Sequence, residues 1–575
     1  MATTVVRRNF SDALSGSLLS LAPAVEMSNT VVSPSAFLLG NSDAYERLVA
    51  KIQVMNLRKE AEVVLERVAF TEAFAARHHP GRFADGAIEN IALEIGDELG
   101  DLTGEVGGFA LPVVRKDGRR RVLHVTYGVE AVGGHTRMLY HWIRNDQSSC
   151  HSLVLTDQRN RPIPPWLSGV VQHAGGQLVV FPQRSRLYRK AKWLRELARR
   201  CADLVVVHQS EALTTVAFAV PDCPPVVLVN AADHVLWLGG SVLDLVINLR
   251  TAASQHTAER RFVSSNMVLP IPLPDPPDQL SGREARRALG ISERQFVLLS
   301  VGRAEKYRPC GPYDFVATAG KILECHPDAH FYVVGESTAG IAPYLRCALH
   351  ERLHFVGSVE NPSLYRAAAD VYLESFPFGS QTALLEAALS GLPVVPAYAP
   401  LFPLLVANDD AVQDLLPNPR DEQEYMEQAE LLLRHPALGF ELGEQLRNRL
   451  LVDHLGQGWL DRLADIYRAT DRLTHRPRPI PVSPCMTEEG DIGLSLFHMA
   501  VDGRKYSMDY SRDGMLAVLC HSSFVAKDTG DYAKARRFAW RAVRHDPYRR
   551  ASWRLLLVTL LGRAGSFIRR LLRSA

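Results

Sequence analysis

Three things are scarce in this sequence. Its 65 basic and 63 acidic residues leave a formal charge of only +2, so it lacks the basic excess that a general nucleic-acid binder carries. Its eight cysteines, at 150, 201, 223, 310, 325, 347, 485 and 520, include no Cys-x-x-Cys pair, which excludes the usual zinc spacings and a disulfide framework and suits a reducing compartment. No uninterrupted apolar run approaches the ~20 residues needed to span a bilayer. Arg7-Arg8 and the LSGSLLSLAPA that follows resemble an export signal only faintly, because Asp12 interrupts a short, serine-rich run. These absences predict a cytoplasmic protein, soluble or peripheral.

What is present is length and apolar content. A chain of 575 residues with 47% hydrophobic side chains has room for about three or four domains with sizeable cores. Residues 1–40 carry little pattern and read as loose. Residues 41–118 read as a helical extension, with apolar positions every three or four residues. His78-His79 lies at the end of one of its helices and reads as a solvated helix end, since adjacent histidines point to different sides of a helix.

From 119 to 268 the pattern alternates between apolar β-prone runs and helical segments, which predicts a parallel sheet of the Rossmann type with ligands at the strand ends. Its first strand, near Val122–Thr126, leads through a loop containing Gly133-Gly134 into a helix that starts GGHTR. Vicinal glycines let backbone approach a ligand, and His135 stands at the helix start, as a general base or as a cap that orients the loop. His208, Asp233 and His234 also follow strands, and Asp233-His234 reads as preceding a helix.

Five prolines between 270 and 277 mark an extended boundary. A second Rossmann-like unit, 281–472, opens with the strand Phe296–Val301, followed directly by Arg303, Lys306 and Arg308. Its most informative stretch is 373–396, LESFPFGSQTALLEAALSGLPVVP, read as strand, turn, helix and strand. The helix is predicted to begin near Ser380. Its first amides, from about Ser380 through Gln381 to Thr382, suit a phosphate, and Glu386, one turn further on, suits the hydroxyls of an attached ribose. Residues 473–575 read as a proline-rich basic linker, RPRPIPVSP, and a helical tail with one tetratricopeptide-like unit and nine arginines from Arg541 onward. Such a basic end could contact anionic lipid or be a solvated helix.

The 373–396 stretch resembles the nucleotide-binding segment of GT-B glycosyltransferases, between the large Glu-x7-Glu group and the O-GlcNAc transferase type. The first glutamate of the former signature is replaced by Phe378. The features fall in the family's order: Gly133-Gly134, Arg303 with Lys306, Gly357, and Gly379 to Glu386. The resemblance implies an α/β GT-B fold of two Rossmann-like domains, and metal-independent transfer from a nucleoside diphosphate sugar, with UDP the suggested nucleotide and GDP left open. The acceptor would be a glycan, lipid-linked or protein hydroxyl. It further implies diphosphate contacts for Arg303 and Lys306, with Arg308 at the commoner lysine position, and a base contact near Gly357. Asp233 and His234 become secondary candidates for the chemistry beside His135. An inverting reaction would need His135 as base, whereas a retaining one would pass the proton to the departing phosphate. A hydrolysing epimerase and a non-catalytic scaffold of the same fold are the alternatives.

Overall fold

The computed structural model describes residues 33–562 apart from 101–117, 277–280, 399–408, 503–515 and the positions 132, 160, 184, 360–361, 517–518, 521, 525 and 528–529. Its centre is two parallel sheets. The first holds β1 (Arg120–Thr126), β2 (Ser149–Leu155), β3 (Leu178–Val180), β4 (Leu204–Val207), β5 (Val226–Asn230), β6 (Leu245–Asn248) and β7 (Asn266–Val268), in the order 3-2-1-4-5-6-7. The second holds β8 (Phe296–Val301), β9 (Ala329–Val334), β10 (Leu353–Gly357), β11 (Val371–Leu373) and β12 (Val394–Val395), in the order 10-9-8-11-12. β4 and β5 are Val/Leu runs buried along their whole length, as strands covered on both faces must be. In each sheet the strand order reverses beside the first strand, between β1 and β4 and between β8 and β11, and the loops that leave these strands form the cleft. This is the GT-B arrangement expected from the sequence.

Among the described residues, three helices precede the first sheet: α1 (Pro34–Gln53), α2 (Leu57–Arg77) and α3 (Gly86–Asp97). Each has a side-chain N-cap, from Ser33, Asn56 and Asp85, which satisfies amides that a helix start leaves without partners. The described residues begin at Ser33, inside the stretch expected to be loose, and α1 runs through its end; residues 1–32 lie outside the described residues. Helix α4 (Gly134–Asn145) follows β1, and α5 (Gln381–Leu389) follows β11. The chain closes the second domain with α6 (Gly456–Thr470), which returns to the first. Trp459 Nε1 donates to the Pro270 carbonyl at 2.9 Å, and the Tyr467 hydroxyl donates to the Asp146 carboxylate at 2.7 Å. A buried hydrogen bond to a charged group contributes about 1.5–3 kcal/mol, so the second of these is a firm tie between the domains.

Several expectations are overturned here. No helix follows His234; the chain reaches β6 through turns. The proline-rich 473–484 run is not a free linker. His475 Nδ1 lies 2.7 Å from Asp244 Oδ2, and the amides of Arg478, Ile480 and Ser483 donate to Ser241 O, Asn90 Oδ1 and Asp85 Oδ1. Prolines cannot form a helix, but an extended strand of chain can still pair its remaining amides with a neighbour. His78 and His79 are buried, not solvated. Helix α7 (Glu489–Asp502) covers them, with Asp491 Oδ1 2.7 Å from His79 Nε2 and 2.9 Å from an Arg260 nitrogen.

The tetratricopeptide-like unit is a helix pair, α8 (Tyr532–His545) and α9 (Arg550–Leu560). It packs on the N-terminal helices, where the Phe538 and Phe70 rings stack at 6.1 Å. Arg563, Arg569, Arg570 and Arg573 of the basic end lie outside the described residues. Among the described residues, no helix is long and apolar enough to cross a membrane.

Candidate functional site between the two sheets

Between the domains lies a cavity of about 580 Å³, lined by both of the glycine-bearing turns. The first sheet contributes Gly133, Gly134, His135, Asp233 and His234. The second contributes Arg303, Lys306, Gly379, Ser380, Gln381, Thr382 and Glu386. The turns touch. A β-carbon on Gly134 would stand 2.8 Å from Thr382 Oγ1, and one on Gly133 would stand 3.1 Å from a terminal nitrogen of Arg303. Gly133 also has φ of 140°, a conformation that side chains rarely allow. Only glycines let α4 and α5 begin this close together.

The second-sheet turn is built on buried charge. Glu374, at the end of β11, is fully buried, and its carboxylate accepts the Ser380 amide hydrogen. The Ser380 amide is thus engaged, and the helix starts at Gln381, one residue later than expected. Its first intrahelical bond runs from the Leu384 amide to the Ser380 carbonyl, 2.9 Å, so the amides of Thr382 and Ala383 have no carbonyl partner within the helix.

Lys306 donates to the Gly379 carbonyl at 2.6 Å and lies over the Phe378 ring, 4.8 Å from its centre. Burial pushes the lysine pKa down, with Glu374 opposing; burial likewise pushes Glu374 up, with Lys306 opposing. Both shifts are what a dry site does to charges that lack a third partner. Glu386 is held by Arg366, Nη1 to Oε2, 2.8 Å.

The first-sheet turn is built on neutral rings. His135 Nε2 is 3.1 Å from Thr126 Oγ1, and burial pushes its pKa down to about 4, so the imidazole is uncharged at neutral pH. Asp233 is paired with Arg250, 2.8 Å, and lies 3.4 Å from His234 Nδ1. Burial alone would raise the Asp233 pKa, but Arg250 and His234 outweigh it and hold the carboxyl below its usual range. Asp233 is therefore a fixed anion that orients its neighbours and is poorly placed to take a proton. His234 faces the cavity with its ring 5.5 Å from that of Phe378.

Two candidates stand apart from the cleft. Arg308 turns away, its guanidinium 4.1 Å from the centre of the Tyr344 ring, so Arg303 and Lys306 are the cations of this turn. Gly357 shapes the wall without lining it. Its carbonyl accepts from the Gly335 amide at 2.8 Å, and the next residues, Ser358 and Val359, reach the cavity. His208, expected at the cleft edge, is buried behind His135. Sequence reasoning missed Glu374, Arg366 and Arg250, each of which holds a candidate residue. An acid inside the apolar run Val371–Leu373-Glu374 was the one signal available.

Parts of the chain are similar to known proteins. Residues 295–435 match the family model described as "Glycosyl transferases group 1", in accord with the GT-B resemblance of the sequence. A curated relative, D-inositol 3-phosphate glycosyltransferase of Corynebacterium aurimucosum, is 30% identical over 192 residues, which are 31% of this chain and 43% of that protein. The match thus spans less than half of that relative's length. Among solved structures, a mutant O-GlcNAc transferase of Thermobaculum terrenum is similar over 76% of this chain and 82% of its own, with 19% identity and a TM-score of 0.47. Anabaena HepE, determined with UDP and glucose, is similar over 62% of this chain and 100% of its own, with 16% identity and a TM-score of 0.46.

Proposed function

We propose that the protein is a glycosyltransferase that moves a sugar from a nucleoside diphosphate sugar, with UDP as the nucleotide, to a hydroxyl of a glycan, lipid-linked or protein acceptor. The observation that carries this reading is the meeting of the two turns. One brings Arg303, Lys306 and the start of α5 together, the other brings an uncharged imidazole, and their glycines keep them in contact. Negative charge grows on the departing diphosphate as the anomeric bond breaks. Arg303, Lys306 and the Thr382 and Ala383 amides are fixed donors for that charge, and one such donor contributes about 3 kcal/mol in other enzymes. A dianionic phosphate beside Lys306 restores the partner that burial denies it.

Glu386, braced by Arg366, faces the cavity where ribose hydroxyls attached to that phosphate would lie. His135 is the base for the acceptor hydroxyl. Its low pKa keeps the lone pair available at neutral pH but makes it a weak acceptor of the proton, so it needs help once charge develops. The family match over the second domain supports the donor half of this reading.

The test is a thermal-shift panel of UDP, GDP, ADP and CMP against wild type and Glu386→Gln. UDP should stabilise the wild type, by about 2.7 kcal/mol at a hundredfold excess over Kd, and should do so less in the variant. Folded wild-type protein that responds to none of the four contradicts the proposal.

A further inference from the structure

Behind His135 runs a row of three buried histidines that the proposed reaction does not yet use. His208, just beyond β4, His124 of β1 and His151 of β2 are each fully or almost fully buried. His208 Nε2 is 2.9 Å from His124 Nδ1, and His124 Nε2 is 2.9 Å from His151 Nδ1. His151 Nε2 ends the row at Asp146, 3.0 Å from its carbonyl oxygen and 3.1 Å from its carboxylate.

The chemistry of that end sets every proton in the row. Both Asp146 oxygens can only accept, so His151 carries its hydrogen on Nε2. With His151 neutral, its bare Nδ1 must accept, which puts the hydrogen of His124 on Nε2. By the same step His208 carries its hydrogen on Nε2. One atom is left over: His208 Nδ1 is bare, buried and without a hydrogen-bond partner.

That atom belongs to the ring that meets His135. The His135 and His208 rings stand edge to face with centroids 5.6 Å apart, against 5.2 Å for the hydrogen-bonded rings of His124 and His208. The row also lies under α4, which begins beside His135 and has Asp146 as its C-cap. A helix carries partial positive charge at its start and partial negative charge at its end. A proton moving from His135 towards Asp146 therefore travels down the field of α4, over roughly the 18 Å that a helix of this length spans at about 1.5 Å per residue.

We propose that His208, His124 and His151 form a proton relay that draws positive charge away from His135 during transfer and brings it to rest as a His151 imidazolium paired with Asp146. The proposal rests on the reading of His135 as the base. The acceptor hydroxyl gives its proton to one ring nitrogen of His135, and the other ring nitrogen passes its proton to His208 Nδ1 once the two rings, which share no hydrogen bond in this structure, close to that distance. His208 passes its Nε2 proton to His124 Nδ1, and His124 passes its Nε2 proton to His151 Nδ1. His151 keeps its Nε2 proton, so one proton has entered the row, one positive charge rests at its far end, and the reverse sequence resets it.

The surroundings suit this order of events. Among the described residues, the groups that face the row are Trp142 of α4, His135, Asp146 and, through Asp146, Tyr467 and Ser148. Burial holds His124 and His208 well below the usual imidazole range, which makes them carriers and not resting places. Burial would raise the Asp146 carboxyl, but the hydrogen bond and the charge of His151, with hydrogen bonds from Ser148 and Tyr467, outweigh it and hold it well below the usual carboxylate range, so it is an anion whenever His151 carries charge.

The experiment is a long-range 1H–15N spectrum of the full chain, labelled on histidine and recorded at pH 7.5, with the three rings assigned through His124→Gln, His151→Gln and His208→Gln. All three should be Nε2–H tautomers with bare Nδ1. An Nδ1–H tautomer at His208 or His124, or averaging between the two forms, overturns the relay. A second arm measures UDP release from UDP-glucose into water. Asp146→Asn, which keeps size and one acceptor oxygen but removes the charge, should lower kcat at least fivefold and leave KM within twofold. A kcat within twofold of wild type overturns the proton-drawing role. If His135→Gln keeps the wild-type rate, the base reading falls and the relay with it, whereas a wrong tautomer with a slow His135→Gln overturns the relay and leaves the base reading standing.

Discussion

The turn that leads into α4 and the turn that leads into α5 share a local design, a parallel strand feeding a helix whose start faces the cleft, yet they rest on different groups. Under α5 lie charges held in place, Lys306 on the Gly379 carbonyl and Arg366 on Glu386, with buried Glu374 accepting the Ser380 amide hydrogen. Under α4 lie imidazole rings set in a row, His135 in front of His208, His124 and His151. Fixed charge suits a site that must receive a phosphate without rearranging. Neutral, linked imidazoles suit a site where a proton must leave. On the proposed function, the contrast would divide the labour of group transfer between the two sheets.

Removing the fixed charge gives the largest effect. Lys306→Met should lower turnover by about 10² to 10³, the loss that follows when one preorganised donor is deleted, read as UDP release from UDP-glucose. Separating the turns comes next. Gly134→Val drives a side chain against Thr382, and a misplacement of this kind should weaken UDP-glucose turnover about 100-fold while the melting temperature without ligand changes little. Glu386→Gln keeps a polar partner for Arg366 and should weaken UDP binding about tenfold, the equivalent of one charged hydrogen bond, measured by calorimetry.

The two turns should also respond to pH in opposite senses. Burial holds His135 near 4 and His124 well below the usual imidazole range of about 6.5. Unfolding lets such rings take up protons that the folded chain refuses, so their contribution to stability is lost as pH falls below 6.5. Glu374, raised above its unfolded 4.5 by burial, keeps a proton in the folded state that the unfolded chain releases. Its contribution is lost as pH rises above 4.5. Melting curves from pH 4.5 to 7.5 should therefore show a shallower acid-side fall in His124→Gln and a shallower neutral-side fall in Glu374→Gln. The smallest effect belongs to Arg308→Ala, which should change UDP binding by less than about twofold because that guanidinium stacks on Tyr344, outside the cleft.

The sheets and turns were legible because their signals are local. Apolar runs such as Leu204–Val207 and the glycines at 133, 134 and 379 carry their meaning within ten residues of sequence. The supports were not legible because distant segments supply them. His124, His151 and His208 meet only through the β1–β2 and β1–β4 pairings, although a histidine in or just after three apolar strands was a visible hint. His78 and His79 looked like a wet helix end because the helix that buries them comes some four hundred residues later. The proline-rich run looked like a linker because composition excludes a helix there and says nothing about which neighbour accepts its amides. Glu374 was passed over as the end of a strand, when it is the anchor of the turn.

The claim that one ligand is held by both turns is tested most directly by calorimetric titration of UDP-glucose into wild type, Lys306→Met and Gly134→Val. The account predicts measurable binding to wild type and severe loss in both variants, one from each side of the cleft. Binding that survives unchanged in Gly134→Val and Lys306→Met would contradict it, because the ligand would then sit elsewhere.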